Sequence, residues 1–553
     1  MRSIRLFVIA MAVATVVGAC GGGAPQPGTL SSRWAAPPIL SHVPADTPYL
    51  FAVLEPMSEA LRRRTMQGFD QRFVDALRKL DQTSGMGRDN PAPWIRVVMA
   101  LADEVKGKDP DKWGEQLGFD PRGRFVLYGL SAWPVVRVDV AQPARLRTVI
   151  EHVLATAGLS PQQRSLEGHS YWVAGGPELS FVAAVLDREF VAALVPSGAL
   201  DQTLPEVLGI RAPTASLAST TTVPDLLARH RFLGVVLGYL DAHRIVEIIA
   251  GARPGPLDAP LRAGIGAVSP ACRADLDRLA DIAPRIAIGY RRLDEISFDG
   301  SLVFETPPGV VSGLRKLHAM VPEVTAPLAG HPLFALGAAI DPRELVEWLR
   351  GLTRQLQDHP FGCPWFKGIN EAGRELAQAL ARPLPPTWLG VRGFSLTIDD
   401  ASVRPPGVAG HLVVAGDRVA DLVQSLAGTL PAFAGIPLSR DGRPIALPLQ
   451  QLQIPVRSAH LALTTDRLVI AAGDDSARRA TEHLATPVPR RSPLALMAFD
   501  LPRFQQLLVS FGQPPLDQAA YLRDVGMSLD VVETGISFDV WGTWAAPPAM
   551  QAR

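Results

Sequence analysis

The sequence has few cysteines, few aromatic residues and no net charge. It contains 3 Cys in 553 residues, 7% aromatic residues, and 54 basic against 54 acidic side chains. A nucleic-acid-binding protein needs an excess of Lys and Arg on one face, and neither the total nor any local run supplies one. We therefore expect no nucleic-acid partner. The 47% of hydrophobic residues indicates a globular chain with a large core.

Motifs that carry known chemistry are also missing from the sequence. There is no P-loop, no G-x-G-x-x-G, no G-x-S-x-G and no H-E-x-x-H, and the 11 His are scattered. His230 and His243 are too far apart to share one helix face, and Ser537 in Gly535-Ile-Ser-Phe fits an alternating strand. We therefore expect no enzyme active site, no cofactor and no metal site, although a triad assembled only in space would leave no such trace.

The N-terminus has the pattern of an export signal. Arg2 and Arg5 precede an apolar stretch over residues 6–17, which is too short for a bilayer span of about 20 residues. Val17-Gly18-Ala19-Cys20 follows and resembles the lipobox of bacterial lipoproteins, with Val where Leu is usual. The resemblance implies a signal peptide over residues 1–19, acylation of Cys20 and anchoring to a membrane. A plain signal peptide is the alternative.

Residues 20–39 are rich in Gly and Pro and are expected to form a flexible tether. The lipobox resemblance also bears on location, because Asp after the lipidated Cys retains such proteins in the inner membrane. Gly21 stands there, so we expect an envelope protein held in the outer membrane by two or three acyl chains. The most apolar later stretch, residues 232–250, is interrupted by charged residues.

An apolar run, an acidic residue and an amphipathic helix recur along the chain. Asp241, Asp341 and Asp500 each stand between such a run and its helix. A carboxylate cluster for metal or acid–base chemistry is one interpretation of these residues. Asp341-Pro342-Arg343-Glu344 favours helix capping instead, which contributes about 1 kcal/mol per cap.

Several landmarks recur in the same order and indicate an internal duplication. Two hairpins are predicted, with turns at Asp187-Arg188 and Asp466-Arg467, and Ile296–Asp299 matches Ile536–Asp539. Helices with apolar residues at three- and four-residue spacing lie between the strands. We therefore predict an α+β fold of two similar halves, residues 40–325 and 326–548. Each half is expected to be a largely antiparallel curved sheet with helices packed on one side. Chance matching of short apolar strings is the alternative.

The first half opens with Val43-Pro44-Ala45-Asp46-Thr47-Pro48 before its first strand. With the strand–helix plan, this phrase resembles an uncharacterised class of bacterial secreted or lipid-anchored proteins. The resemblance implies a fold and a location but no activity.

Cys272 and Cys363 are the two thiols that remain if Cys20 is acylated. In an oxidising compartment an even pair favours a disulfide, which here would close a loop of about 90 residues and contribute about 4 to 5 kcal/mol. Two buried free thiols are the alternative. No C-x-x-C indicates a redox site.

Two hypotheses for function follow from these patterns. The first is a non-catalytic, lipid-anchored scaffold that binds an envelope protein. The second is a carrier or sensor of a hydrophobic ligand. The ligand would lie in a cavity between sheet and helices, lined by residues such as Trp172, Phe181, Trp348 and Trp388.

The acidic pairs Asp399-Asp400 and Asp474-Asp475 are interpreted as turn and helix-start residues, with calcium binding as the alternative.

Overall fold

A computed structural model describes residues 35–66, 93–105, 112–251, 255–326, 330–403, 406–427, 436–449, 456–516 and 521–545. Within these ranges the chain forms two compact units, which divide between Glu295 and Ile296. Both units combine helices with antiparallel strands, so the predicted α+β class is confirmed. Among the described helices, none has the length and apolar content needed to cross a membrane.

Unit 1 contains an antiparallel sheet whose spatial order is β9-β8-β1-β2-β3-β7-β6-β5-β4. Its described strands are β1 Tyr49–Val53, β2 Phe125–Leu130, β3 Trp133–Asp139, β4 Gln162–Leu166, β5 His169–Gly175, β6 Leu179–Val185, β7 Glu189–Pro196, β8 Leu237–Asp241 and β9 Arg285–Leu293. The residues of β2 are buried throughout, which is the pattern of a central strand covered on both faces.

Helices lie between β1 and β2, between β3 and β4, between β7 and β8, and between β8 and β9, and the other four connections are short turns. The described helices of unit 1 are α1 Glu59–Met66, α2 Pro93–Val105, α3 Trp113–Leu117, α4 Pro143–Thr156, α5 Leu200–Val207, α6 Thr222–His230, α7 Ala242–Ile249, α8 Ala259–Ile265 and α9 Pro270–Ile282. The main core cluster joins strand residues such as Phe125 and Leu127 to Leu146 and Leu154 of α4. Residues 38 and 39, which the sequence assigned to the tether, lie in a short 3-10 helix, Pro38–His42, and Ile39 is buried.

The strands of unit 2 are also antiparallel, in the spatial order β10-β19-β18-β17-β11-β12-β13-β16-β15-β14. Its described strands are β10 Ser297–Glu305, β11 Phe334–Ala339, β12 Val391–Val403, β13 Pro406–Gly416, β14 Ile445–Ala446, β15 Ala459–Leu463, β16 Arg467–Ala472, β17 Ala495–Asp500, β18 Leu522–Val532 and β19 Gly535–Trp544.

The described helices of unit 2 are α10 Pro308–Arg315, α11 Pro342–Asp358, α12 Lys367–Leu380, α13 Val419–Ala427, α14 Ser476–Leu484 and α15 Leu501–Ser510. They pack on both faces of the sheet. Val419 and Val423 of α13 contact Leu461 and Leu463, whereas Ala480 of α14 packs against Ala462 from the opposite face. The prediction that helices pack on only one side is therefore wrong for this unit. Successive residues of β15 point to opposite faces, and a helix packs against each face.

Both predicted hairpins are confirmed. β6 and β7 close with Val185 opposite Phe190, and β15 and β16 close with Leu463 opposite Leu468. The apolar run before Asp241 forms a strand only from Leu237, because the N–H of Phe232 donates to Leu227 O at the end of helix α6. The compact units also divide earlier than the sequence repeats. β10 pairs with β19, and α10 packs its Val311 against Val531, so residues 296–325 belong to unit 2.

Candidate functional site

The three Asp residues at strand ends cap helices, as the capping interpretation predicted. The Asp241 carboxylate accepts a hydrogen bond from Arg244 N, Asp341 accepts from Arg343 N and Glu344 N, and Asp500 accepts from Arg503 N. Each carboxylate satisfies N–H groups that the helix itself leaves without a partner. Helix initiation therefore accounts for their recurrence in the sequence.

The acidic pairs differ from one another. Asp474 and Asp475 lie in the turn before α14, as predicted. The turn interpretation of Asp399 and Asp400 is wrong, because both lie inside β12, where the register shifts between Ile398 and Asp400. A β-bulge tolerates such a pair because it leaves one residue outside the ladder.

Both bulge carboxylates have arginine partners. Asp399 pairs with Arg479, and the Asp400 carboxylate lies 3.2 Å from Arg503 Nη2. Asp400 and Arg503 also line a cleft of about 490 Å³ with Ser402 and Ser510. The arginine charge opposes binding of a calcium ion at this place.

The cysteine predictions fall on different parts of the chain. Cys20 lies outside the described residues, as does the proposed signal peptide. Cys272 is buried on α9 of unit 1, and Cys363 is buried in unit 2 immediately before a short 3-10 helix, Pro364–Phe366. Cys363 has an extended backbone, because the following Pro364 disfavours the helical conformation at that position.

The four aromatic residues considered as cavity lining do not share one environment. Trp172 belongs to the buried core cluster of unit 1, and Phe181 packs against that cluster. Trp348 on α11 and Trp388 in unit 2 are exposed. Trp172 and Phe181 are therefore explained by core packing.

An open apolar surface lies on three neighbouring strands of unit 2. Phe538 of β19 pairs with Leu529 of β18 and with Leu302 of β10, so these three side chains lie on one side of the sheet. We call this side the apolar face, and it comprises Phe298, Gly300, Leu302, Phe304, Val525, Met527, Leu529, Val531, Ile536, Phe538, Val540 and Gly542. Every side chain in this set is apolar.

Exposure on these strands is the reverse of the usual arrangement. Phe304, Leu529 and Phe538 on the apolar face are 36%, 39% and 38% exposed. On the opposite side Ser301 and Ser537 are buried, and Ser301 Oγ donates to Asp539 Oδ1 at 2.6 Å. Antiparallel sheets ordinarily bury their apolar side and leave their polar side to water. A contiguous exposed apolar patch is a typical binding surface.

A second feature of unit 2 is a cluster of Glu323, His411 and His483. Glu323 lies in the loop between α10 and β11, His411 on β13, and His483 in the last turn of α14. His411 points to the side of β13 that α14 covers, because Val413 of the same side packs against Ala480. The topology thus brings together three residues that are distant in sequence.

The Glu323 carboxylate accepts hydrogen bonds from both imidazoles. His411 Nε2 lies 2.7 Å from Oε2, and His483 Nδ1 lies 2.6 Å from Oε1. Thr486 and Ser395 donate to the same two oxygens at 3.2 Å and 3.3 Å. Burial would raise the pKa of Glu323, but the hydrogen bonds from the two histidines outweigh it and hold this pKa well below its usual range.

Two details of the cluster go beyond what a structural hydrogen-bond network requires. Glu323 has a positive φ of 66°, a conformation that is strained for a residue with a side chain. The Nδ1 atom of His411 is buried and has no hydrogen-bond partner among the described residues. An unsatisfied buried polar atom in a native site indicates a water, an ion or a function at that place.

Residue spacing along the chain gives no sign of this cluster, because its members are distant in sequence. Glu323 and His411 are 88 residues apart, and Glu323 and His483 are 160 residues apart. His411 stands in the apolar run His411-Leu-Val-Val414. The sign of this cluster in the sequence is a histidine within an apolar strand, at a position that points towards the core.

Comparison with known proteins gave no relative for this chain: no family model, no curated protein and no solved structure matches it.

Proposed function

We propose that this protein is a non-catalytic, lipid-anchored binding protein of the bacterial outer membrane, and that the apolar face of unit 2 holds a hydrophobic ligand with an acyl chain. The observation that carries this proposal is the exposure of large apolar side chains on β10, β18 and β19, with buried serines on the opposite side. Of the two hypotheses from sequence, the ligand carrier is the one that this surface favours.

The chemistry of the apolar face defines what it would bind. Its side chains offer no charge and no hydrogen-bonding group along three adjacent strands. Residues 536 to 542 span about 20 Å at about 3.4 Å per residue. An extended hydrocarbon chain suits a surface of this length and polarity, whereas a polar ligand would lose its hydrogen bonds to water without replacement.

The cover over this face is partial. Val311 and Leu314 of α10 pack with Val531, and Ile536 packs against the same cluster. Phe504 of α15 contacts Phe499 of β17, with ring centroids 5.3 Å apart. Phe499 shares the apolar side because it pairs with Val525. Helices thus flank an apolar floor whose middle stays open, which is an arrangement suited to an elongated ligand.

We also propose that the two units descend from one duplicated unit. In support, eight strands of unit 1 and eight of unit 2 follow the same chain order across their sheets: β9-β8-β1-β2-β3-β7-β6-β5 and β18-β17-β11-β12-β13-β16-β15-β14.

Local contacts support the duplication too. Leu186 N donates to Glu189 O in one hairpin, and Thr464 N donates to Arg467 O in the other, each at 2.8 Å. The N–H groups of the capping residues Asp241 and Asp500 donate to Pro48 O and Pro332 O.

Titration with a fluorescent fatty acid tests the proposed ligand class. The full chain should bind the probe with saturation, and Leu529→Asn should weaken binding about three- to tenfold. The ligand would cover the exposed 39% of a side chain whose full burial contributes about 1.5 to 3 kcal/mol, and the introduced amide would lose its hydrogen bonds to water. Val488→Asn is the matched control, since Val488 is also an exposed apolar residue of unit 2 but lies in the loop after α14. Equal binding by both variants and the unaltered chain would contradict the proposal.

A further inference from the structure

We propose that Glu323, His411 and His483 bind a divalent transition-metal ion of the zinc class. Each residue offers one ligand atom, and these three atoms lie within 4.8 Å of one another. The site is separate from the apolar face and does not depend on its function. It also revises the expectation from sequence that the chain has no metal site.

The donor set matches the chemistry of such an ion. Two imidazole nitrogens and one carboxylate oxygen are ligands that zinc binds at about 2.0 to 2.2 Å, with a fourth position left for water or another ligand. Hard ions such as calcium and magnesium prefer sets made only of oxygen atoms. The imidazole rings of His411 and His483 stack with centroids 3.5 Å apart. One nitrogen of each ring is hydrogen-bonded to the same carboxylate.

Metal binding would change the hydrogen-bonded cluster into a coordinated one. Tetrahedral zinc with bonds of about 2.1 Å separates its donors by roughly 3.4 Å. The two nitrogens now lie 2.7 Å and 2.6 Å from the carboxylate oxygens. The ion would replace the two N–H protons that now fill the hydrogen bonds, and the stacked imidazole rings would turn so that each nitrogen lone pair points at the ion.

The fold itself does not require a polar cluster at this place. This step rests on the proposed duplication of the two units. The two hairpins can be aligned at their closing residues, Phe190 in unit 1 and Leu468 in unit 2. Three positions further along lie Ala193 and Ala471. Ala193 pairs with Val135 on the neighbouring strand, and Ala471 pairs with His411. Val135 is fully buried, so an apolar residue fills the same position in unit 1. His411 and Glu323 therefore point to a property that is particular to unit 2.

Calorimetric titration of the chelator-treated full chain with Zn²⁺ tests the site. We expect one ion per chain, and His411→Ala and His483→Ala should each weaken binding more than about a hundredfold, since even changes around a metal's ligands cost 10- to 100-fold. His460→Ala is the matched control. His460 lies on the same side of the sheet as His411, because both residues pair with Ala471. Its Nδ1, however, is hydrogen-bonded to Ser476 Oγ at 2.9 Å. This variant should bind zinc like the unaltered chain.

Glu323→Gln keeps the shape of the cluster and removes its charge, so it covers the case in which a histidine variant fails to fold. Zinc should raise the melting temperature of the unaltered chain and of His460→Ala, but not that of Glu323→Gln. The proposal is overturned if the unaltered chain takes up no zinc in stoichiometric amount. It is also overturned if His460→Ala loses the ion as completely as His411→Ala. If the chain binds no zinc, fatty-acid binding at the apolar face should still be observed, so failure of the metal proposal can be told apart from failure of the proposed function.

Discussion

The guanidinium of Arg137 is fully buried in unit 1, and its Nη1 lies 2.7 Å from Glu189 Oε2. Its remaining nitrogens donate to Val207 O at 2.7 Å and to the Tyr128 hydroxyl at 3.3 Å. Arg137 of β3 and Glu189 of β7 lie diagonally across the two paired strands, because Arg137 is opposite Val191, and α5 supplies the carbonyl group. The pair therefore ties a helix terminus to two central strands.

Removing one partner of this pair should strongly destabilise unit 1. We expect Arg137→Ala to lower the free energy of unfolding by about 3 to 5 kcal/mol, because it leaves the Glu189 carboxylate buried without its counter-ion. Arg478→Ala is the control, since Arg478 forms an exposed pair with Glu482 and should change stability by less than about 1 kcal/mol. Urea unfolding followed by circular dichroism measures both, and equal losses would refute the structural role of Arg137.

His42 should make unit 1 sensitive to mild acid. Burial, and then the nearby Arg137 guanidinium, lower the pKa of His42 from 6.5 to about 4. Glu189, 4.0 Å from His42 Nε2, is the facing carboxylate. Between these pH values the unfolded chain binds the proton more readily than the folded chain, so stability falls as the pH drops from 6.5 towards 4.

The test of this prediction is urea unfolding at several pH values with His42→Gln beside the unaltered chain. The variant should lose less stability than the unaltered chain between pH 6.5 and pH 4. Parallel pH profiles for the two proteins would show that His42 is not the titrating group.

Cys20 is expected to carry the acyl chains that hold the protein in the membrane. Cys20→Ser should yield a soluble, unlipidated protein or an unprocessed precursor. Fractionation of cells with a carbonate wash measures the distribution, and Cys272→Ser serves as the control that keeps the lipobox. Retention of the Cys20→Ser protein on washed membranes would contradict the lipid anchor.

Cys272 and Cys363 are expected to form a disulfide in the exported protein. Alkylation without reductant, counted by mass, should then modify neither residue, and both should react after reduction. Electrophoresis with and without reductant should show a shift, because a closed loop of about 90 residues makes the denatured chain more compact. Two alkylated cysteines in the unreduced protein would mean that the bond is absent.

Local sequence patterns predicted the parts of the fold that depend on neighbouring residues. The hairpins around Asp187 and Asp466 and the caps at Asp241, Asp341 and Asp500 follow from turn and helix-start chemistry within a few residues. The bulge at Asp399 was not predictable in this way, because the arginine partners that hold the two carboxylates come from residues 479 and 503.

The candidate sites depend on relationships between distant parts of the chain. Alternation in β19 indicates one apolar side, with Ile536, Phe538 and Val540, but does not tell which side the helices leave open. Glu323 and His483 meet His411 only because a loop and a helix pack on the same side of β13. Spacing rules for metal ligands apply within one helix or turn and do not detect such a meeting.

Mass spectrometry of lipids that remain bound to the natively purified protein tests the proposed function most directly. The protein, extracted from membranes and released by a protease cut in the 20–34 region to remove its own acyl chains, should carry a non-covalent acyl-chain lipid. Leu529→Asn should lose most of this lipid, and Val488→Asn should retain it. Absence of lipid from the unaltered protein, with a stoichiometric protein partner in its place, would contradict a hydrophobic ligand on the apolar face and favour a scaffold.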